Sequence, residues 1–249
     1  MLCFAAVLPA QPALHMILIA DTDDPAIGAS KDYWNMQGIA YTVAQTTGLR
    51  LQRYYFEQHK TGAYELIQVL DNLQCGPEDV VWFYYSGHGV AAEAKAGRAA
   101  TFRLGSYNFA IDRIHHKLLS KRPGLLITMY DCCAYTTSNP MALRRLRMFE
   151  GKPTNYSKLF LETRGDLLVQ SNTGDLSYGD MEIGGIFTYA FRQSLNFITA
   201  GNSEACTWES LLERTRIDTE HIAQQNEVRQ VPAYQSNLRS RTLRLHEKR

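Results

Sequence analysis

Hydrophobic and polar positions along the chain form two patterns, short apolar runs and amphipathic stretches. The apolar runs have the length of strands and end in polar residues, which is typical of strands buried on both faces of a sheet. They predict strands at residues 14–21, 49–57, 79–87, 124–131, 166–173 and, more briefly, 230–236. The amphipathic stretches have apolar residues at spacings of three and four, and they predict helices. These helices are expected at residues 31–47, 61–73, 112–119, 186–195 and 207–225.

The order of these elements predicts an α/β fold. Strands that alternate with helices pair mostly in parallel, with helices on both faces of a central sheet of about six strands. Ligands of such sheets bind at the carboxyl ends of the strands. The segments that follow the strands there are residues 21–24, 86–89, 131–134 and 171–175, and all of them are polar or contain glycine.

Composition narrows the class of protein. The 249 residues are enough to bury a hydrophobic core, and the hydrophobic fraction of 45% excludes a disordered chain. Lys+Arg 26 against Asp+Glu 25 gives a net charge of +1, so we expect no nucleic-acid partner. No stretch of 18 apolar residues is present, so no integral membrane segment is expected either. The oligomeric state stays open.

Four segments are expected along the chain. Residues 1–13 are apolar, uncharged and rich in small side chains, so they are either the end of a signal peptide or an N-terminal arm. The choice decides between an exported and a cytoplasmic protein, and it stays open. Residues 14–238 are expected to form the main domain. Within it, residues 138–156 have the Pro and Gly content of a linker, and residues 239–249 form a basic tail.

Two strand ends carry a nucleophile and a base. His88 lies between two glycines after the third predicted strand, and Asp131 is followed by Cys132 and Cys133 after the fourth. A cysteine becomes a thiolate at neutral pH when an imidazole is nearby in space. The count of five cysteines is odd, so at least one thiol is left without an intramolecular disulfide partner.

These motifs carry a resemblance to a known family. The chain has Tyr-Ser-Gly-His-Gly at Tyr85–Gly89, Asp-Cys-Cys at Asp131–Cys133, Gly-Gly-Ile-Phe-Thr-Tyr-Ala at Gly184–Ala190 and Gln-Val-Pro at Gln230–Pro232. In this order they resemble the caspase and metacaspase cysteine peptidases, over most of residues 14–238. The resemblance implies a caspase-like sandwich and, from the Ser-Gly-His-Gly context, the metacaspase or bacterial caspase-homologue type.

The resemblance also implies a mechanism. Cys133 would be the nucleophile and His88 the general base and acid, and the backbone N–H groups of Gly89 and Cys133 would form the oxyanion hole. Cys132 is the rival nucleophile. Its side chain should point to the opposite face if strand geometry persists through the motif.

The charges at these strand ends imply a substrate. In metacaspases an acid after the first strand, the Ser before Gly-His and the Asp of Asp-x-Cys line a pocket for Arg or Lys at P1. Here Asp21 and Asp24, Ser86 and Asp131 are the matching candidates, and no Arg of the caspase type follows the first strand. We therefore expect a peptide or protein substrate with a basic P1 residue.

Some features depart from the family or fall outside it. Ala134 and Tyr135 follow Cys133, where the family has other residues. Residues 90–110 contain Glu93 as their single acid, too few hard oxygens for calcium, so we expect no metal and no cofactor. His115 and His116 are expected on a solvent-exposed basic helix face.

The predicted linker contains candidate sites of self-cleavage. Arg144, Arg145, Arg147 and Lys152 lie where caspases are processed between their large and small parts, and an acidic P1 pocket would accept them. An amphipathic helix over residues 141–149 explains the same arginines equally well.

Two other functions remain open from the sequence. The chain would be a catalytically inactive caspase-like interaction module if the cysteine is not reactive. It would be a gingipain- or legumain-like peptidase if the chemistry is shared with those families of the same broad fold. A P1-Arg ketone that modifies Cys133 distinguishes the first alternative from a peptidase.

Overall fold

The computed structural model describes residues 11–57, 62–90, 100–104, 107–132, 134–136, 150–173 and 176–240. Cys133 lies outside the described residues, as do Arg144, Arg145 and Arg147 and most of the terminal segments 1–13 and 239–249.

Twelve strands and six α-helices make up the described part of the chain. The strands are β1 (Ala13–Ala20), β2 (Arg50–Glu57), β3 (Val80–Gly87), β4 (Gly89–Val90), β5 (Thr101–Leu104), β6 (Tyr107–Ala110), β7 (Leu125–Cys132), β8 (Ala134–Thr136), β9 (Thr163–Gln170), β10 (Ser177–Asp180), β11 (Gly184–Gly185) and β12 (Ala233–Ser240). The helices are α1 (Ala29–Thr47), α2 (Ala63–Asn72), α3 (Ile111–Leu119), α4 (Pro153–Phe160), α5 (Ile186–Ala200) and α6 (Trp208–Gln225). The five helices and six strands predicted from the sequence are all present.

Six of the strands form the central sheet, in the order β12-β9-β7-β3-β1-β2. Every neighbouring pair is parallel except β12 and β9, which are antiparallel. The predicted α/β class with a mostly parallel six-stranded sheet is therefore confirmed. Strand β12 continues to Ser240, so the first two residues of the expected basic tail belong to the sheet.

Helices cover both faces of this sheet. Strands β1, β3 and β7 are buried at every residue because each of their faces packs on an apolar layer. On one face, Trp82 of β3 packs on the rings of Phe160 in α4 and Phe191 in α5. On the other, Tyr85 of β3 stacks on Phe102 of β5 with ring centroids 4.1 Å apart. No helix of the described residues is long and apolar enough to cross a membrane.

Helix α4 was not predicted, and it begins inside the segment expected to be a linker. Pro153 occupies the first turn of the helix, where its missing N–H costs nothing. The helix is tied to its surroundings, because Asn155 Nδ2 donates to Thr199 O at 2.8 Å and Trp208 Nε1 donates to Leu159 O at 2.7 Å. The prolines and glycine of the sequence indicated a loop but did not exclude a helix start.

The expectation for His115 was wrong. Its side chain is buried, with 5% of the residue exposed, and only His116 of the pair is exposed to solvent. In the ring of His115, Nδ1 lies 2.9 Å from Thr128 Oγ1 and Nε2 lies 3.3 Å from Asp166 Oδ2. The physical reason is helix periodicity. Position 115 shares one face of α3 with the buried Ile111, Ile114 and Leu118.

Burial of His115 predicts a pH dependence of stability. Burial lowers the pKa of His115 below its ordinary 6.5, although Asp166 opposes the change. The unfolded chain therefore binds the proton more readily than the folded one, and stability falls as the pH drops below about 6.5. In His115→Gln the urea midpoint should fall less steeply between pH 7 and pH 5 than in wild type. His116→Gln, on the exposed neighbour, should keep the wild-type slope, and equal slopes in all three proteins would contradict the assignment.

Candidate active site

The carboxyl ends of β1, β3 and β7 lie next to one another at one edge of the central sheet. Ser86 of β3 pairs in register with Ala20 of β1 on one side and with Asp131 of β7 on the other. The three parallel strands therefore bring residues 21–24, 86–89 and 131–132 to one place. The sequence predicted this cluster from the strand pattern alone.

His88 follows directly after β3, where Gly87 turns the chain. Gly87 has φ +149°, and a Cβ there would lie 2.5 Å from Asp21 Cβ, so only glycine fits this turn. The Tyr85 hydroxyl donates a hydrogen bond to His88 O and holds the backbone. The imidazole is 54% exposed and its Nε2 lies 3.1 Å from Asp24 Oδ2. His88 is thus accessible at the sheet edge and already has a carboxylate partner.

Asp24 and Asp21, the two acids expected to line the P1 pocket, have contacts other than Ser86 and Asp131. The carboxylate of Asp24 contacts His88. Asp21 is buried at the end of β1, its Oδ1 accepts a hydrogen bond from Asp23 N at 3.3 Å, and its Cβ faces Gly87. Gly87 and Ser86 are successive residues of a strand and point to opposite faces. Asp21 is therefore on the other face of the sheet from Ser86 and Asp131.

Ser86 and Asp131 form a buried cluster with Asp32, which the sequence analysis missed. Asp32 lies in the first turn of α1 and is fully buried. Ser86 Oγ donates to Asp32 Oδ2 at 2.7 Å. The Asp131 carboxylate accepts from Thr188 N at 3.1 Å and from Thr188 Oγ1 at 2.9 Å. Two carboxylates from distant parts of the chain thus lie together beneath the edge of the sheet.

A pair of glycines allows this approach. Gly185 N donates to both carboxylate oxygens of Asp32 at 3.1 Å. A Cβ on Gly185 would lie 2.1 Å from Asp131 Oδ2 and 3.2 Å from Asp32 Oδ2. Gly184 has φ +87°, and a Cβ there would lie 2.0 Å from Asp32 Oδ1. The Gly-Gly of the sequence motif is therefore the place where the backbone closes on the two acids.

Both acids are hard to ionise in this cluster. Burial raises the pKa of Asp131 to about 6, although hydrogen bonds from Thr188 favour its charged form. The pKa of Asp32 is raised well above its ordinary value, first by burial and then by the negative charge of Asp131. A cation between the two carboxylates would relieve this cost, because it favours the ionised forms. The cluster is thus suited to bind a positively charged group.

Cys132 ends β7 on the opposite face from Asp131. It is buried in the apolar layer under α2 and α3, together with Tyr85 and Phe102. Gly89 packs against it, since a Cβ on Gly89 would lie 2.9 Å from Cys132 Sγ. That Cys132 points away from Cys133 stays a prediction, because Cys133 lies outside the described residues. Gly87 and Cys132 are the last residues paired between β3 and β7, one residue before His88 and Cys133 in the sequence.

Two further candidates of the sequence analysis have structural contacts. Lys152 precedes α4, and its N donates to Thr199 O while its Nζ donates to Gly201 O, both at 2.9 Å. Gln230 joins the residue after β9 to strand β10, because its Nε2 donates to Ser171 O at 3.1 Å and its Oε1 accepts from Tyr178 N at 2.9 Å. Across the described ranges, no three His, Cys, Asp or Glu side chains are grouped so as to hold a metal ion.

Comparisons with known proteins agree with this architecture. The model of the caspase domain family matches residues 42–243. The fold is similar to the crystal structure of caspase-1 from Spodoptera frugiperda, with a TM-score of 0.55 and 13% identity over 91% of this chain and 88% of that one. The Drosophila initiator caspase Dronc matches with a TM-score of 0.47 and 17% identity over 90% of this chain and 79% of that one. A comparison with curated proteins found no match.

Proposed function

The chain belongs to the caspase domain family, and from this premise we propose that it is a cysteine endopeptidase that cleaves after Arg or Lys. The family consists of cysteine peptidases, which act on proteins or peptides. The finer statement is cleavage after a basic residue by Cys133 and His88, and its preference for a basic residue rests on the cluster of Asp32, Asp131 and Ser86 at the same edge of the sheet.

The proposed chemistry uses a cysteine and a histidine. His88 removes the proton from the Cys133 thiol, and the thiolate attacks the carbonyl carbon of the scissile bond. The N–H groups of Gly89 and Cys133 stabilise the oxyanion. His88 then gives the proton to the leaving amine, and water hydrolyses the thioester and restores the thiol. The register supports this pairing, because β3 and β7 stay aligned up to the residues before His88 and Cys133.

The basic P1 preference follows from charge. Asp32 and Asp131 are two buried carboxylates whose pKa values are raised, so a substrate guanidinium or ammonium between them gains charge-assisted hydrogen bonds. An acidic P1 side chain would be repelled by the same pair. We therefore assign the P1 pocket to Asp131, Ser86 and Asp32. Asp32 replaces Asp21 and Asp24 in this role.

The same residues support the metacaspase type. Metacaspases line the P1 pocket with acids and a serine, whereas caspases carry an arginine that binds Asp. Here the first turn of the helix after β1 contributes Asp32 to the pocket residues. Residues 91–99, which belong to the segment considered for calcium binding, lie outside the described residues. Activity without calcium stays a prediction from the sequence.

Self-processing is proposed for Arg144, Arg145 and Arg147, which an acidic P1 pocket would accept. Lys152 is a poorer site. Its backbone N–H donates to Thr199 O in the last turn of α5 and its side chain to Gly201 O just after that helix, whereas a peptidase needs its substrate extended and accessible. We therefore expect cleavage N-terminal to Lys152.

Peptide profiling tests the proposed function. A library varied at P1 should be cleaved after Arg and Lys and hardly after other residues, at the same rate with and without a calcium chelator. Preference for Asp at P1 would overturn the assignment of the pocket. A P1-Arg ketone that fails to label Cys133, together with no cleavage of any peptide, would favour the inactive interaction module.

A further inference from the structure

We propose that Asp24 is a positioning residue that orients the imidazole of His88 and fixes which ring nitrogen carries the proton. This inference rests on the proposed peptidase function and adds a third side chain to the Cys133–His88 pair. Its basis is the contact of 3.1 Å between Asp24 Oδ2 and His88 Nε2. A carboxylate only accepts hydrogen bonds, so Nε2 must donate and Nδ1 is left as the base.

The carboxylate of Asp24 is held in place by its own loop. Its Oδ1 accepts a hydrogen bond from Ala26 N at 3.0 Å and caps the short helix Pro25–Ile27. Pro25 fixes the backbone directly after Asp24. Gly28 ends the short helix with φ +77°, and a Cβ there would lie 2.2 Å from Asp180 O. One carboxylate oxygen therefore anchors Asp24 while the other faces His88.

The backbone of His88 is fixed independently of Asp24. The conformation of Gly87 and the hydrogen bond from Tyr85 to His88 O fix the backbone position from which the His88 side chain extends. Without a partner, the ring would still rotate about its side-chain bonds and exchange its proton between the two nitrogens. Asp24 removes that freedom, and its negative charge favours the imidazolium that forms when the thiol loses its proton.

The size of the effect follows from exposure. The side chains of His88 and Asp24 are 54% and 41% exposed, so water competes for the contact and screens the charge. The loss should therefore be smaller than that of a buried acid–histidine pair. We expect kcat to fall by about 10- to 100-fold when the charge is removed, with little change in KM.

Asp24→Asn tests this inference, because asparagine caps a helix as well as aspartate does. Its Oδ1 can keep the bond from Ala26 N, which turns the NH₂ group toward His88 and favours the wrong tautomer. Asp71→Asn is the control. It removes the same charge from an ion pair with Lys117 at the end of α2, away from the sheet edge that holds His88. Only Asp24→Asn should lose kcat, and both variants should melt like wild type.

The ring nitrogens give a second measurement. In the full chain carrying Cys133→Ala, ¹⁵N NMR of His88 at pH 8 should show the proton on Nε2, and Asp24→Asn should move it toward Nδ1. Unchanged kcat or an unchanged tautomer in Asp24→Asn would overturn the inference. If wild type cleaves no peptide and resists the P1-Arg ketone, the proposed function fails. In that case the ¹⁵N NMR measurement alone tests the positioning role, and a proton on Nδ1 of His88 when Asp24 is present would overturn it.

Discussion

Cleavage of a P1-Arg peptide should fall by at least about a thousandfold when Cys133 is replaced by alanine. The nucleophile forms the covalent intermediate, and neither His88 nor the oxyanion hole replaces it. The same variant should run as one chain on a denaturing gel, whereas wild type should appear as two fragments cut after Arg144, Arg145 or Arg147. Initial rates and the gel pattern of both purified proteins are the measurements.

Cys132→Ala is the matched control for this experiment. Cys132 is buried in the apolar layer on the other face of β7 from Asp131, and Gly89 packs on it. Its loss should lower stability modestly, by about 1 kcal/mol, and leave peptide cleavage largely intact. An inactive Cys132→Ala beside an active Cys133→Ala would reverse the assignment of the nucleophile. A fully active wild type that stays one chain would refute self-processing but not catalysis.

Three central strands of the sheet were the most predictable, because they are buried on both faces. Strands β1, β3 and β7 read as continuous apolar runs, and their polar ends mark the carboxyl edge without any knowledge of side-chain positions. Helix α4 was missed for the opposite reason. Gly151 lies just before the helix and Pro153 is its first residue, so both indicated a loop, and the eight residues of the helix are too few for a clear period.

Asp32 was missed because it lies inside a helical pattern. It occupies the buried stripe of α1 together with Ala29, Tyr33 and Met36, where a charged residue is unusual. That anomaly was visible in the sequence and points to a buried function. Its partner Asp131 comes from a different part of the chain, and only the fold brings the two together. His115 was also misjudged from its polar side chain. Its position on the buried face of α3 decides its burial.

Asp131→Asn should separate substrate binding from stability. The variant keeps an oxygen that accepts the hydrogen bonds of Thr188 but loses the charge that a P1 guanidinium requires. We expect kcat/KM for a P1-Arg peptide to fall by about 30- to 4,000-fold, the equivalent of about 2 to 5 kcal/mol for a buried charged pair. A P1-citrulline peptide, which is neutral and of similar shape, serves as control. The variant should lose much less activity against the P1-citrulline peptide, so its preference for Arg over citrulline should be far smaller than that of wild type.

The pH dependence distinguishes this role from a structural one. The pKa of Asp131 is raised in the folded protein, to about 6. The folded protein therefore holds this proton more tightly than the unfolded chain, and the stability gained from it at low pH is lost as the pH rises through 6. Asp131→Asn should therefore melt higher than wild type at pH 8 and like wild type at pH 4. In wild type, the preference for Arg over citrulline should weaken as the pH falls through 6, because kcat/KM reports the ionisation of the free enzyme. If the variant melts lower than wild type at pH 8 and its cleavage of both peptides falls equally, Asp131 stabilises the fold and is not part of the P1 pocket.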